Sequence, residues 1–256
     1  MPGQVIFIGA GPGAADLITL RGARLLAQAE VVLFDALTDP ALREHAPQAQ
    51  WMDVGKRGFH HATGQMKINS LLVKYATEGK VVVRLKGGDP SVLGRLEEEL
   101  DAVAQAGIPC EVVPGVTAAI AAAAATQRPL TRRGSGRSVS FSTAMTREGE
   151  LDASRTADTE VFYMAGRQLA ALARRLLHAT WSPETPVLVI SRVGWPDQLQ
   201  SDHTVATLSE AAALHSGRPT VVTVGAGAGP LCPAKPQPDA RHAGLDTPQC
   251  AHTTLT

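Results

Sequence analysis

Leu85-Lys86-Gly87-Gly88-Asp89-Pro90 follows the β-branched run Val81-Val82-Val83 and precedes the acidic stretch Leu96-Glu97-Glu98-Glu99. A glycine pair between a lysine and an aspartate, at the carboxyl end of a strand, lets the backbone approach a small polar ligand closely. Gly-Gly-Asp-Pro alone is equally good turn chemistry, so its neighbours decide its meaning. A second glycine loop, Gly9-Ala10-Gly11-Pro12-Gly13, follows Val5-Ile6-Phe7-Ile8, and a third segment, Val113-Pro114-Gly115-Val116-Thr117-Ala118, ends another apolar run.

Short β-branched segments at 5–8, 31–34, 81–85 and 111–113 alternate with helix-sized segments. That alternation predicts an α/β fold with a mostly parallel sheet in an N-terminal domain. Between residues 62 and 79, Met66, Ile68, Leu71, Leu72, Tyr75 and Ala76 fall near helical spacing and predict a surface helix. The alanine-rich run 118–125 reads as a buried helix, far short of the roughly 20 residues a membrane span needs. Proline, glycine and arginine accumulate at 128–137, which separates a first domain, 1–127, from a second, 138–228. In the second domain, strands at 138–142, 159–164, 187–191 and 220–224 and helices at 168–177 and 208–214 predict a mixed sheet. Residues 229–256 collect prolines without apolar periodicity and read as a disordered tail.

The 24 basic residues balance the 24 acidic ones, so net charge points to neither nucleic acid nor an anionic membrane as partner. Cys110, Cys232 and Cys250 lack zinc-site spacing and an even count, which fits a reducing, cytoplasmic location. No basic segment followed by an apolar stretch and cleavage site opens the chain, so export is not expected. His60 and His61 are adjacent rather than a helical turn apart, and no metal site is expected.

Gly9, Gly11 and Ala14 also fit a dinucleotide fingerprint, with Asp35 about 20 residues on, so an NAD-binding oxidoreductase is a rival reading. Against it, Pro12 sits inside the turn and has no backbone donor to offer a pyrophosphate.

Taken in order with Gly55-Lys56-Arg57 and Pro129-Leu130-Thr131-Arg132-Arg133-Gly134, the three loops make residues 4–225 resemble the tetrapyrrole methylase family. The resemblance is to its members that C-methylate uroporphyrinogen III at positions two and seven, giving precorrin-2 for sirohaem, cobalamin or haem d. It implies two domains with the active site in the cleft between them, S-adenosyl-L-methionine as cofactor, and a homodimer. It implies Pro12, Gly87, Gly88, Asp89, Val92, Thr117, Ala118, Met164 and Val193 as cofactor contacts. The substrate carries eight carboxylates, which suits the planar fork of arginine. Arg95, Arg132 and Arg133, with Lys56, are the anchors implied; Arg137 and Arg57 are further candidates. Glu98 matches the family's candidate base and Asp35 is the second choice. Acids such as Glu97, Glu98 and Glu99 also simply favour a helix's first turn. A methyltransferase acting on another corrinoid precursor, or a regulator that binds a tetrapyrrole without turnover, are the alternatives.

The chain departs from the family pattern in several places. Leu96 and Glu97 stand where two glycines are common, and Ser91 and Leu93 where aromatic residues are. Ser142-Thr143-Ala144 replaces Thr-Gly-His, and Ser191-Arg192-Val193-Gly194 replaces an acidic turn, with Val193 where small residues are usual.

Overall fold

In the computed structural model, which describes residues 3–55, 64–145 and 155–231, the chain forms two five-stranded sheets. The first half contains β1 (Gln4–Gly9), α1 (Leu20–Leu26), β2 (Val31–Phe34), β3 (Gln50–Asp53), α2 (Gln65–Thr77), β4 (Val81–Lys86), α3 (Leu96–Gln105), β5 (Cys110–Val113) and α4 (Ala118–Ala125). Its sheet runs β3-β2-β4-β1-β5 and every pairing is parallel. Strands such as Val5-Ile6-Phe7-Ile8 are apolar throughout because helices cover both faces of a parallel sheet. Residues on one face, including Ile6, Ile8 and Val32, pack with α1, while Val5, Phe7 and Val31 pack with α2 and α3.

The second half contains β6 (Val139–Thr143), β7 (Thr159–Tyr163), α5 (Leu169–His178), β8 (Pro186–Ser191), β9 (Leu199–Thr204), α6 (Ala212–His215) and β10 (Thr220–Gly225). The order β6-β7-β10-β8-β9 is mixed: β6 and β7 are parallel and the remaining pairs antiparallel. One face is buried by α5, and the other packs Val161, Tyr163, Ile190 and Val221 on α4.

Several expectations need correction. The helix at 208–214 is broken into a 3-10 turn, Leu208–Ala211, followed by the single turn of α6. Two strands lay beyond the apolar pattern, β3 and β9, because both are half-exposed edge strands of mixed polarity, Gln-Trp-Met-Asp and Leu-Gln-Ser-Asp-His-Thr. The alanine helix α4 is not buried all round: Ala119 and Ala122 are enclosed, whereas Ile120 is half exposed. In α2 the buried stripe is Ile68, Leu72 and Ala76, a strict four-residue spacing, and Met66 points to water. Lys56, Arg57 and the His60-His61 pair lie outside the described residues, as does the tail from 232 onward.

Because all strands of the first sheet run the same way, the loops after β1, β4 and β5 emerge at one edge. There they stack backbone on backbone. Gly11 and Gly88 exchange hydrogen bonds, 2.7 Å from Gly88 N to the Gly11 carbonyl and 3.3 Å in return. A Cβ on Gly9 would lie 2.6 Å from Gly115 Cα and 2.8 Å from the Gly88 carbonyl oxygen. No side chain fits between these three loops, so the glycines at 9 and 115 are required by packing.

The second half locks onto this edge. A Cβ on Gly13 would lie 2.7 Å from both the Val193 carbonyl oxygen and Trp195 Cδ1. Behind that turn, the fully buried His215 ring bonds Ser191 Oγ through Nδ1 at 2.9 Å and Ser201 Oγ through Nε2 at 2.9 Å. Arg218 also donates to Ser191 Oγ, at 3.0 Å, and to Asp197. Burial, then His203 and Arg218, hold the His215 ring below the usual imidazole range.

Gly115→Ala is expected to cost about 1–3 kcal/mol, since backbone must move to admit the methyl, and urea unfolding measures it. Burial makes the His215 ring bind a proton less readily in the fold than in the unfolded chain. Stability should be complete above the ordinary histidine range near 6.5 and fall as the pH drops through it. Thermal unfolding at pH 7.5 and 5.5 checks this, with a smaller difference expected in His215→Gln.

Candidate active site

The edge where the three loops stack is also where the chain leaves room. Gly87 has only Leu37 Cβ near the position of a side chain, at 3.7 Å, and Gly88, at φ +71°, has nothing nearer than Thr117 Cα at 3.8 Å. Unlike Gly9 and Gly115, Gly87 is not demanded by the protein's own packing. The missing side chains leave a cradle above the backbone that a Cβ would fill.

Asp89 closes the cradle on one side. Its Oδ1 accepts from Ser91 N at 2.7 Å and its Oδ2 from Gly115 N at 2.8 Å, so the carboxylate ties the β4 loop to the β5 loop. Each oxygen keeps a further lone pair for a ligand donor. Thr117 precedes α4 but does not cap it with its own side chain. Its hydroxyl lies 2.8 Å from the Tyr163 hydroxyl, which itself accepts from Ala119 N at 3.3 Å. Tyr163, on the second sheet, therefore caps the helix of the first half, and burial raises its phenol above the ordinary range.

Met164 follows Tyr163 with φ +58° and is 42% exposed. Arg192 and Gly194 flank Val193 with φ of +51° and +80°, and turn the Val193 side chain into the apolar cluster of Ala119, Ala122, Tyr163 and Ile190. Val92 and Ala118 pack on the same cluster. Left-handed backbone in non-glycine residues is costly, and Leu93, Arg95, Met164 and Arg192 all carry it around this cleft. Pro12 lies in the β1 loop between the stacked Gly11 and the pinned Gly13. Of the candidate residues, Gly88 thus lies beside Thr117, Asp89 binds the β5 loop, Val92, Ala118 and Val193 share one apolar cluster, and Pro12, Gly87 and Met164 adjoin these in the chain.

The candidate substrate residues divide. Arg95, in a turn beside an open depression of about 450 Å³, donates to both oxygens of Glu98 at 2.7 Å, and both side chains are largely exposed. Arg132 and Arg133 lie elsewhere, because α4, about 12 Å long, carries the chain away from the cleft. Arg132 lies near Pro186 and Gly225, at the end of the second sheet opposite the Val193 turn, and donates to the carbonyls of Gly229 and Pro230. Arg133 is exposed in the same loop.

Sequence reasoning missed a buried charge cluster beneath the cradle. Glu99, with no exposed surface, accepts from Arg84 Nε at 3.0 Å, Lys86 Nζ at 2.7 Å and Gln65 Nε2 at 3.2 Å. Arg84 also donates to Asp35 Oδ1 at 2.6 Å. Burial and the neighbouring Arg84 lower the Lys86 ammonium from its usual range, and Glu99 opposes them. The signal was in the strand itself: Arg84 and Lys86 alternate with apolar residues in β4 and so share one face, where two buried cations require a partner.

Residues 4–212 match the family model for tetrapyrrole (corrin/porphyrin) methylases. A sirohaem synthase from Hahella chejuensis is 43% identical over 202 residues, covering 77% of this chain and 43% of that protein. The chain thus spans about half the length of such curated relatives. Among solved structures, a uroporphyrin-III-C-methyltransferase from Thermus thermophilus superposes with a TM-score of 0.77 at 39% identity, covering 89% of this chain and 94% of that one. A second structure of a uroporphyrin-III C-methyl transferase from T. thermophilus, complexed with S-adenyl homocysteine, gives 0.75 at 33% identity over 87% and 97% of the two chains. A parallel sheet with three stacked loops, a mixed sheet locked to its edge, and a family match across 4–212 have one reading: this chain belongs to the tetrapyrrole methylases.

Proposed function

We propose that the chain transfers methyl groups from two molecules of S-adenosyl-L-methionine to carbons two and seven of uroporphyrinogen III, giving precorrin-2. The observation that carries this reading is the open cradle over Gly87 and Gly88, at the edge where the two sheets meet, in a chain that resembles a structure holding S-adenyl homocysteine. The residues present suit that group. It has no phosphates to cradle, which agrees with a proline in the β1 loop, and it has an ammonium and a ribose that Asp89 can accept from. Met164 offers a soft apolar wall, and the Thr117-Ala118 backbone borders the cleft.

When bound, the cofactor supplies a sulfonium methyl group that an electron-rich carbon of the pyrrole system can attack. The protein's task is then largely orientation, worth about 7–11 kcal/mol at best. Arg95 is placed to take a substrate carboxylate in its fork. Glu98 holds that fork now, so an arriving carboxylate would exchange with it and release Glu98 to accept the proton that the methylated macrocycle must lose. Asp35, at the end of β2, is the second candidate for that proton. In this reading Arg132 and Arg133 do not anchor substrate from within the same chain, since they lie at the far end of the second sheet.

The same reading places the enzyme in the cytosol as a homodimer. No helix among the described residues is long and apolar enough to cross a membrane.

Anaerobic incubation with uroporphyrinogen III and S-adenosyl-L-methionine, followed by product mass, tests the proposal; a gain of two methyl groups is expected. Arg95→Ala should lower kcat/KM by about 10- to 100-fold, the size of one charge-assisted hydrogen bond. Glu98→Gln should lower kcat by about 100-fold or more if Glu98 accepts the proton. Full turnover in Glu98→Gln would transfer that role to Asp35. Cofactor binding without any methyl incorporation would instead point to another corrinoid precursor as substrate.

A further inference from the structure

The buried cluster of Arg84, Lys86, Glu99 and Asp35 is an expensive arrangement to keep for stability alone. Charges withdrawn from water recover their hydration only through close pairing, and apolar residues of equal volume often hold a fold as well. What distinguishes this cluster is the set of parts its ends grip.

Arg84 and Lys86 project from one face of β4, 3% and 2% exposed, and Lys86 leads directly into the Gly87-Gly88 cradle. Glu99 sits on α3, one residue beyond Glu98 and one turn from Arg95. Asp35 follows β2 at the same sheet edge, its backbone N–H bonded to the Leu85 carbonyl at 3.3 Å. The Arg84 guanidinium spans these parts. Nε meets Glu99, one terminal nitrogen meets Asp35 Oδ1, and the other meets the carbonyls of Leu33 at 3.3 Å and Leu85 at 3.1 Å. Every arm of the fork is committed, so the guanidinium cannot rotate without breaking several bonds at once. Burial opposes its charge, but Asp35 and Glu99 outweigh that and hold the proton more firmly than in water.

Asp35 is different. Its side chain is 32% exposed, and only Oδ1 is engaged; Oδ2 has no hydrogen-bond partner among the described residues. A partly exposed carboxylate pinned through one oxygen keeps the other able to accept from an incoming donor.

We propose that Arg84 is a positioning residue for the transfer reaction, fixing Asp35 so that Oδ2 accepts a proton or hydrogen bond from the bound tetrapyrrole. Through Glu99, the same guanidinium sets the distance from Asp35 to the helix start that carries Arg95. This rests on the function proposed above and deepens it by giving Asp35 a defined role and Arg84 a reason to be buried beneath it. Lysine cannot replace Arg84 here, because an ammonium is a point donor and cannot hold two carboxylates in fixed relative orientation.

The test is a double-mutant cycle on the full chain, measuring kcat and KM for Arg84→Lys, Asp35→Asn and the pair, with thermal unfolding and S-adenosylhomocysteine binding as controls. Arg84→Lys should lower kcat by about 10- to 100-fold, the scale of a small misplacement, with KM for the methyl donor within about twofold. In the Asp35→Asn background the same change should cost less than about twofold, since there is no carboxylate left to position. Equal losses in both backgrounds would mean that Arg84 supports the fold generally, and would overturn the proposal. Should Arg84→Lys fail to fold, Asp35→Asn alone decides, because it retains an acceptor oxygen at a partly exposed position. Unchanged kcat there overturns the proposal, and a fall in kcat with cofactor affinity intact supports it. A wild-type chain that adds no methyl group overturns the underlying function, and the positioning role with it.

Discussion

Everything at the cleft depends on the contact of three backbones that carry no side chains. Gly9 and Gly115 approach each other and the Gly88 carbonyl so closely that a methyl on either would force the loops apart. Parallel strands alone would bring their loops to a common edge, but they would leave them separate. The stacking turns three loops into one surface, and the Asp89 carboxylate, accepting from Ser91 and Gly115, holds that surface shut from the side. Only then can Gly87 stay uncovered and the second sheet seat its Val193 turn against Gly13.

Charge is handled by the same economy. The chain is neutral overall, yet the polyanionic substrate proposed for it would ask for local cations. Of the cations expected to meet it, Arg95 stands at the cleft already paired to Glu98, while Arg132 is satisfied by carbonyls at the far end of the second sheet. Lys86, beside the cradle in sequence, is turned beneath it and neutralised by Glu99. The positive charge described there is therefore guarded rather than bare, and under the proposed function recognition would be an exchange of partners.

The sequence disclosed the parallel sheet because Val5-Ile6-Phe7-Ile8 and Val81-Val82-Val83 are continuous apolar runs, the mark of strands covered on both faces. It disclosed the cleft because the glycine loops follow such runs. It hid β3 and β9, whose edge positions tolerate polar residues, and it hid the different fates of Glu98 and Glu99. Those two neighbours look alike as helix-start acids, yet one is half exposed and the other has no contact with water. The difference is set by Arg84 and Lys86, 15 and 13 residues from Glu99 in the chain, a distance that local patterns do not span. The placement of Arg132 was obscured similarly, since its position depends on which way α4 leads the chain.

Tyr163 joins the two halves through a hydroxyl that completes the first turn of α4. An eight-residue alanine helix has little persistence in isolation, because too few propagating bonds follow its costly nucleus. Its end is finished by a residue of the other sheet, and its buried face rests on that sheet's apolar side. The two halves are consequently separate in topology but joined through α4: melting the second sheet would withdraw both the cap and the apolar support of a helix that the first half supplies.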